Sequence, residues 1–206
     1  MDWITTLHDL HSHYGQPGEA ATVKVTTHLT PTYRAHLERA RFCVLTTVGP
    51  EGTDGSPRGD EGPVVVVLDP QTLALPDWRG NNRIDSLRNI LRDGRVSLLF
   101  LVPGSNTAMR VNGTARLTAD DTFRARFSRA QSTRDDALPR TVIVIRISEV
   151  YSQCARALIR AGLWSGGYQS QGLPTVGDML REITESRIDG QAYDADWPGR
   201  AAGTMW

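Results

Sequence analysis

The chain has 206 residues, enough for one domain with a sizeable core, or one domain with extensions. Its 23 Lys+Arg balance its 23 Asp+Glu, so no net positive field argues for nucleic acid or an anionic membrane surface. Lys24 is the only lysine and arginine supplies the other basic positions. Arginine suits bidentate anion binding, although such a composition can equally reflect general residue bias.

Cys43 and Cys154 are the only cysteines. Without CxxC spacing they offer neither a zinc site nor a secreted disulfide framework. Their apolar neighbours, "RFCVL" and "SQCARAL", predict two buried, inert thiols. The opening "MDWITTLHDL" has an early acid and no long apolar run, and no stretch approaches a membrane span. A cytoplasmic protein is expected.

Residues 1–41 read as a helical N-terminal extension, in which Thr30 is an N-cap and Pro31 opens the helix "TYRAHLERA". From Phe42 the texture becomes β-rich: "FCVLTTV", the turn "GPEG", then "TDGSPRGDEG", "PVVVVL", the turn "DPQ" and "TLAL". "LPDWRGNNRIDSLRNIL" (75–91) then runs from strand through polar loop into a helix of about eight to ten residues. Asn82 is its expected N-cap, and Ile84, Leu87, Ile90 and Leu91 its expected apolar face.

"DGR" ends that helix. "VSLLFLV", the turn "PGSN", "TAMRVNGTARL", a short Thr118-capped helix in "TADDTFRARF" and "TVIVIRI" follow. Six or seven strands, too closely spaced for parallel crossovers, predict an antiparallel sheet or barrel across 42–164 in an α+β, mainly β protein. Residues 165–206 read as a loop, a Thr175-capped helix and a polar tail containing Pro and Gly.

Several chemistries lack their motif. "GPEGTDG" spaces its glycines three apart with no helix behind them, and GxxxxGK[ST] is missing. All five histidines (His8, His11, His13, His28 and His36) lie in the first 36 residues, which leaves a nucleophile–His–acid triad unsupported. "HDLHSH" reads as a solvated face, because nothing in the pattern orients its histidines for a metal.

The 75–91 junction carries the strongest signal. An Asn82 cap would turn the amides of Arg83, Ile84 and Asp85 outward at the positive end of the helix. Arg83 would add full charge, with neutral hydrogen bonds from Asn81, Asn82 and Ser86. An ordinary capped helix with exposed arginines is the alternative. "SPRGD" (56–60) places Ser56 and Arg58 on a strand expected to pair beside the one feeding this loop, so Arg58 could reach the same anion. It could instead form a rim salt bridge with Asp60 or Glu61.

Taken in order, "SPR", "LALPDWRGNNR", "IDSLRNIL", "RVSLLFLV" and "MRVNGTARL" resemble the FMN-binding split barrel of the pyridoxamine 5′-phosphate oxidase-like superfamily. The segment "CARALIRAGLW" (154–164) matches a bacterial subgroup with a helical N-terminal extension. The resemblance implies a six- to seven-stranded antiparallel split β-barrel with peripheral helices. It also implies FMN, with Arg58 and Arg83 gripping the phosphate, helped by Asn81, Asn82 and Ser86. Gly59, Asp60, Leu75 and Pro76 would lie along the ribityl chain and ring, and Ser56, on the strand that carries Arg58, is a further cofactor-binding candidate. Superfamily members are homodimers with the flavin at the interface, so Arg110, Asn112, Arg160 and Trp164 are candidates for a wall supplied by the second subunit. Trp164 is otherwise a simple core or interface aromatic.

Two departures stand out. Where the superfamily loop offers Ser, Arg and Lys, this chain has Asn, Asn and Arg, one positive charge fewer. It also lacks any histidine after His36, so the superfamily's substrate-binding Arg-x-His is missing and vitamin B6 oxidation is not expected. The resulting expectation is an FMN-dependent oxidoreductase for an unidentified small molecule, with NAD(P)H as one candidate donor and no side chain identifiable as general acid or base. A non-catalytic flavin- or haem-binding barrel, a deazaflavin-dependent reductase and a cofactor-free interaction module remain the alternatives.

Overall fold

The computed structural model describes residues 1–80, 82–128, 138–167 and 169–204. Seven strands are present: β1 (Phe42–Gly49), β2 (Gly52–Gly59), β3 (Val66–Asp69), β4 (Thr72–Asp77), β5 (Arg95–Leu101), β6 (Ala108–Thr118) and β7 (Thr141–Gln153). They form one antiparallel sheet in the order β2-β1-β5-β6-β7-β4-β3. The sheet does not close, as expected for a split barrel, and β2 and β3 are its edges.

Alternation along the strands sets the core. Cys43, Leu45 and Thr47 of β1, Val96, Leu98 and Phe100 of β5, and Ile143, Ile145 and Ile147 of β7 all point inward and are buried. Each fully buried Leu, Ile or Phe in this cluster contributes about 1.5–3 kcal/mol relative to an exposed one. The β6–β7 ladder shifts between Asn112 and Gly113, where Ser148 is the extra residue on β7. Inward parity therefore moves from Ile147 to Val150. A Cβ on Gly113 would stand 2.1 Å from the Arg146 carbonyl oxygen, so only glycine fits this bulge.

The N-terminal region contains α1 (Leu7–Ser12), α2 (Glu19–Val23) and α3 (Pro31–Leu37). His8, His11 and His13 are exposed. The Thr30 hydroxyl accepts from the Tyr33 amide, with Pro31 as the first helical residue, as expected. Leu37 is fully buried at the barrel end, and Thr26 bridges to Val150.

After β4 comes α4 (Asp85–Arg92). It buries Ser86, Asn89 and Ile90, whereas Ile84 and Leu91 are exposed, so the expected apolar face is only partly correct. The cause lies on β1. The Asn89 side chain fills the space over Gly49, and its Nδ2 donates to Thr47 Oγ1 at 3.1 Å. A buried polar anchor has displaced the leucine that periodicity favoured.

The run "PVVVVL" also divides differently, with Val64 and Val65 buried ahead of β3. The helix α5 (Asp121–Ala125) is capped by Asp120 rather than Thr118, whose hydroxyl accepts from the Asp120 amide instead. The chain ends in α6 (Arg156–Arg160), α7 (Val176–Ile183) and α8 (Gly190–Thr204). The Thr175 cap is present as a full capping box with Asp178. The last helix was not expected, because Pro198 and Gly199 lie within it. Among the described residues no helix is long and apolar enough to cross a membrane.

The two thiols differ, against expectation. Cys43 is buried and its pKa is pushed up to about 12 by that burial, which the nearby Arg58 charge only partly opposes. Cys154 is exposed just after β7.

Candidate functional site

The sheet order puts β2 and β4 near opposite ends, and they share no ladder. The expectation that the Ser56–Arg58 strand pairs beside the strand feeding the 78–84 loop is therefore incorrect. The two strands meet across the split instead. Arg58 Nη1 donates to Asp77 Oδ1, and Trp78 Nε1 donates to Asp60 Oδ2 at 3.1 Å. The Arg58 partner is thus Asp77 of β4, not a rim carboxylate of its own segment.

At this gap lies a cleft of about 720 Å³, within the roughly 300–1,000 Å³ range of small-molecule sites. Of the candidates from the sequence, Ser56, Arg58, Gly59, Asp60, Leu75, Pro76, Asn82, Arg83 and Ser86 line it. Asn81 lies outside the described residues. Asp54, Asp77, Trp78, Arg140 and Trp197 also line the cleft and were not anticipated. Arg140 and Trp197 are remote in sequence from the motif, and no local pattern marks them.

The loop geometry departs from expectation. Asn82 is not the cap of α4: it sits at φ 62° and its Oδ1 accepts from Arg140 Nη1 at 3.0 Å. Ile84 is the residue at the cap, also left-handed at φ 51°, with no side-chain cap hydrogen bond. Two left-handed residues end the loop later than an asparagine cap would, so the helix opens with the amides of Asp85, Ser86 and Leu87. A β-branched residue at positive φ is a costly conformation, held here by the surrounding structure.

Carboxylates shadow the cationic groups. Among the described residues the lining holds four arginines (Arg58, Arg79, Arg83 and Arg140) and four aspartates (Asp54, Asp60, Asp77 and Asp85). Arg83 Nε donates to Asp85 Oδ2 at 2.8 Å, which raises the arginine pKa further. The Ser86 hydroxyl donates to Asp54 Oδ2, so the chain's own carboxylate sits at the start of α4. Arg58 is likewise paired, its Nη1 with Asp77, while its buried Nε has no hydrogen-bond partner among the described residues.

The remaining candidates lie elsewhere on this chain. Arg110 is exposed on β6 opposite Tyr151, and Asn112 Nδ2 donates to Glu149 Oε2 at 3.0 Å. Arg160 is exposed at the end of α6, and Trp164 Nε1 donates to the Ser105 carbonyl at 2.8 Å. None of the four lines the cleft of the single chain.

The family model described as pyridoxamine 5′-phosphate oxidase matches residues 29–154. No curated protein matches the sequence. Among solved structures, the chain is similar to HupZ of Group A Streptococcus, with 16% identity and a TM-score of 0.48, covering 60% of this chain and 93% of that one. It is also similar to an FMN-binding protein of Syntrophomonas wolfei, with 17% identity, a TM-score of 0.41 and coverages of 59% and 88%. The FAD binding protein of Mycobacterium smegmatis gives 16% identity, a TM-score of 0.42 and coverages of 62% and 97%.

Proposed function

Since the chain belongs to the pyridoxamine 5′-phosphate oxidase family, we propose that its cleft holds FMN and that it is a cytoplasmic, homodimeric flavin-dependent oxidoreductase for a small molecule. The observation that carries this reading is the convergence of Arg58, Arg83 and Arg140 with Asn82 and Ser86 on one cleft. That donor set fits a phosphate-bearing ligand. The bound flavin would supply the hydride or electron transfer.

The chain's own residues bind and orient. Arg58, Arg83 and Arg140 hold the phosphate end, with Asn82 and Ser86 giving neutral hydrogen bonds. Ser56, Gly59 and Asp60, which line the same cleft, would contact the rest of the bound group. Leu75, Pro76 and Val64 supply apolar wall and exclude water. Arg110, Asn112, Arg160 and Trp164 would complete the site from the second subunit. No side chain is assigned as general acid or base. Pyridoxamine phosphate is not the proposed substrate, because no histidine follows His36. NAD(P)H is the first candidate donor.

Titration with FMN tests the reading. Arg58→Ala is expected to weaken binding about tenfold or more, since a charge-assisted hydrogen bond to the phosphate is lost. The loss for Arg83→Ala is smaller, because its side chain is 80% exposed and solvent screens it. Unchanged affinity in both variants would refute the phosphate assignment. Sedimentation should report a dimer, and a monomer that still held FMN would contradict the shared site. Mixing the loaded protein with NADH, NADPH or reduced deazaflavin identifies the donor.

A further inference from the structure

We infer that Trp197, carried by the C-terminal helix, is a positioning residue that covers the cleft and stacks on the flat ring of the bound ligand. The inference rests on the flavin reading above and adds a residue and a structural element to it. Among the described residues lining the cleft, Trp197 alone comes from beyond Thr141. It stands on α8, which packs chiefly against α7. An indole 56% exposed at the mouth of a cleft is a large apolar surface still open to a partner.

Its placement is built rather than incidental. The backbones of Gly177 and Gly190 cross so closely that a Cβ on Gly177 would stand 2.1 Å from the Gly190 carbonyl oxygen. The Gly177 amide donates to Asp194 Oδ1 at 2.9 Å, one turn before Trp197. Pro198 follows immediately within the continuous helix and cannot donate to its ladder, so one backbone hydrogen bond is missing beside the indole. Arg200 lies over the Tyr193 ring at 4.2 Å and 5.9 Å from the Trp197 ring, which keeps a cation beside the indole. Leu75, Pro76 and Trp78 add apolar and aromatic wall to the same cleft. A planar heterocycle with an anionic tail matches this combination of aromatic cover, apolar wall and arginine rim.

FMN emission, quenched when an indole stacks on the flavin ring, is the readout, in titration and after dilution of the loaded protein. Trp197→Ala should bind FMN about tenfold more weakly, release it about tenfold faster and leave the bound flavin brighter than in the unaltered protein. Trp197→Phe, which keeps a ring, should recover most of the affinity but not the quenching. Equal affinity, release and emission in the alanine variant would overturn the inference while leaving the flavin reading intact. If the unaltered protein bound no FMN, both would fall. Matching thermal melting of the variants excludes a folding defect, and a melting loss that fully accounted for the weaker binding would count against the stacking role.

Discussion

Arg58 on β2 and Asp77 on β4 pair across the opening of the barrel, where no backbone ladder connects their strands. With side chains only 20% and 12% exposed, the pair supplies a link at the site where sheet hydrogen bonding fails, and it forms part of the cleft wall. A partly buried ion pair adds little over a well-packed apolar pair, but breaking it leaves an uncompensated charge.

Asp77→Asn should therefore destabilise the fold by about 3 kcal/mol, read as a lower urea midpoint with an unchanged slope. The double variant Arg58→Met with Asp77→Leu should recover most of that loss. A double variant no more stable than Asp77→Asn would show that the charge imbalance is not the cause.

Asp54 occupies the start of α4 through its hydrogen bond with Ser86. In the flavin reading this carboxylate competes with the ligand phosphate. Asp54→Asn is expected to tighten FMN binding about tenfold at low salt, with a smaller gain at high salt. Calorimetric titration with riboflavin, which lacks the phosphate, should show no gain. Equal gains for both ligands would refute the competition.

Cys43 gives the fold an alkaline limit. Its folded-state pKa is about 12 against the ordinary 9.0, chiefly because burial disfavours the thiolate. The folded protein thus keeps a proton that the unfolded chain loses above pH 9. The stabilisation is fully present below that pH and is lost as pH rises toward 12, at up to about 1.4 kcal/mol per pH unit. Urea midpoints measured from about pH 8 to about pH 11 should fall in the unaltered protein and much less in Cys43→Ala. Alkylation of the native protein should label only the exposed Cys154.

Gly190→Ala tests how α8 is held. Its new Cβ would stand 2.3 Å from the Gly177 carbonyl oxygen and 2.7 Å from the carbonyl carbon, both backbone atoms that cannot move aside cheaply. Limited proteolysis after Thr184 should accelerate while the barrel keeps its melting behaviour. A variant as resistant as the unaltered chain would show that the crossing does not anchor the helix.

Much of the barrel was legible in local pattern, because strand burial alternates with period two and turns carry their own residues. The Thr30–Pro31 start and the Thr175 cap were equally readable, since a cap involves residues three apart. The junction at 75–91 does gather arginines, but its conformation differs from the capped helix its sequence predicts. Asn82 is a good cap in isolation, yet its amide is engaged by Arg140 and the backbone turns left-handed at both Asn82 and Ile84. Periodicity predicts Leu91 inward, yet it is exposed, and the space over Gly49 is filled by Asn89.

By itself the sequence determined where most strands and turns lie, two helix caps, and that an arginine-bearing loop opens a short helix. Each is a property of residues within a few positions of one another, governed by strand propensity, turn residues and capping. Only the tertiary structure decided that Arg58 meets Asp77 and not Asp60, that Arg140 braces the loop, and that Trp197 reaches the cleft. Those contacts depend on how far the twisted sheet curls before its ends approach and on where the last helices pack, and both arise from interactions between residues far apart in the chain.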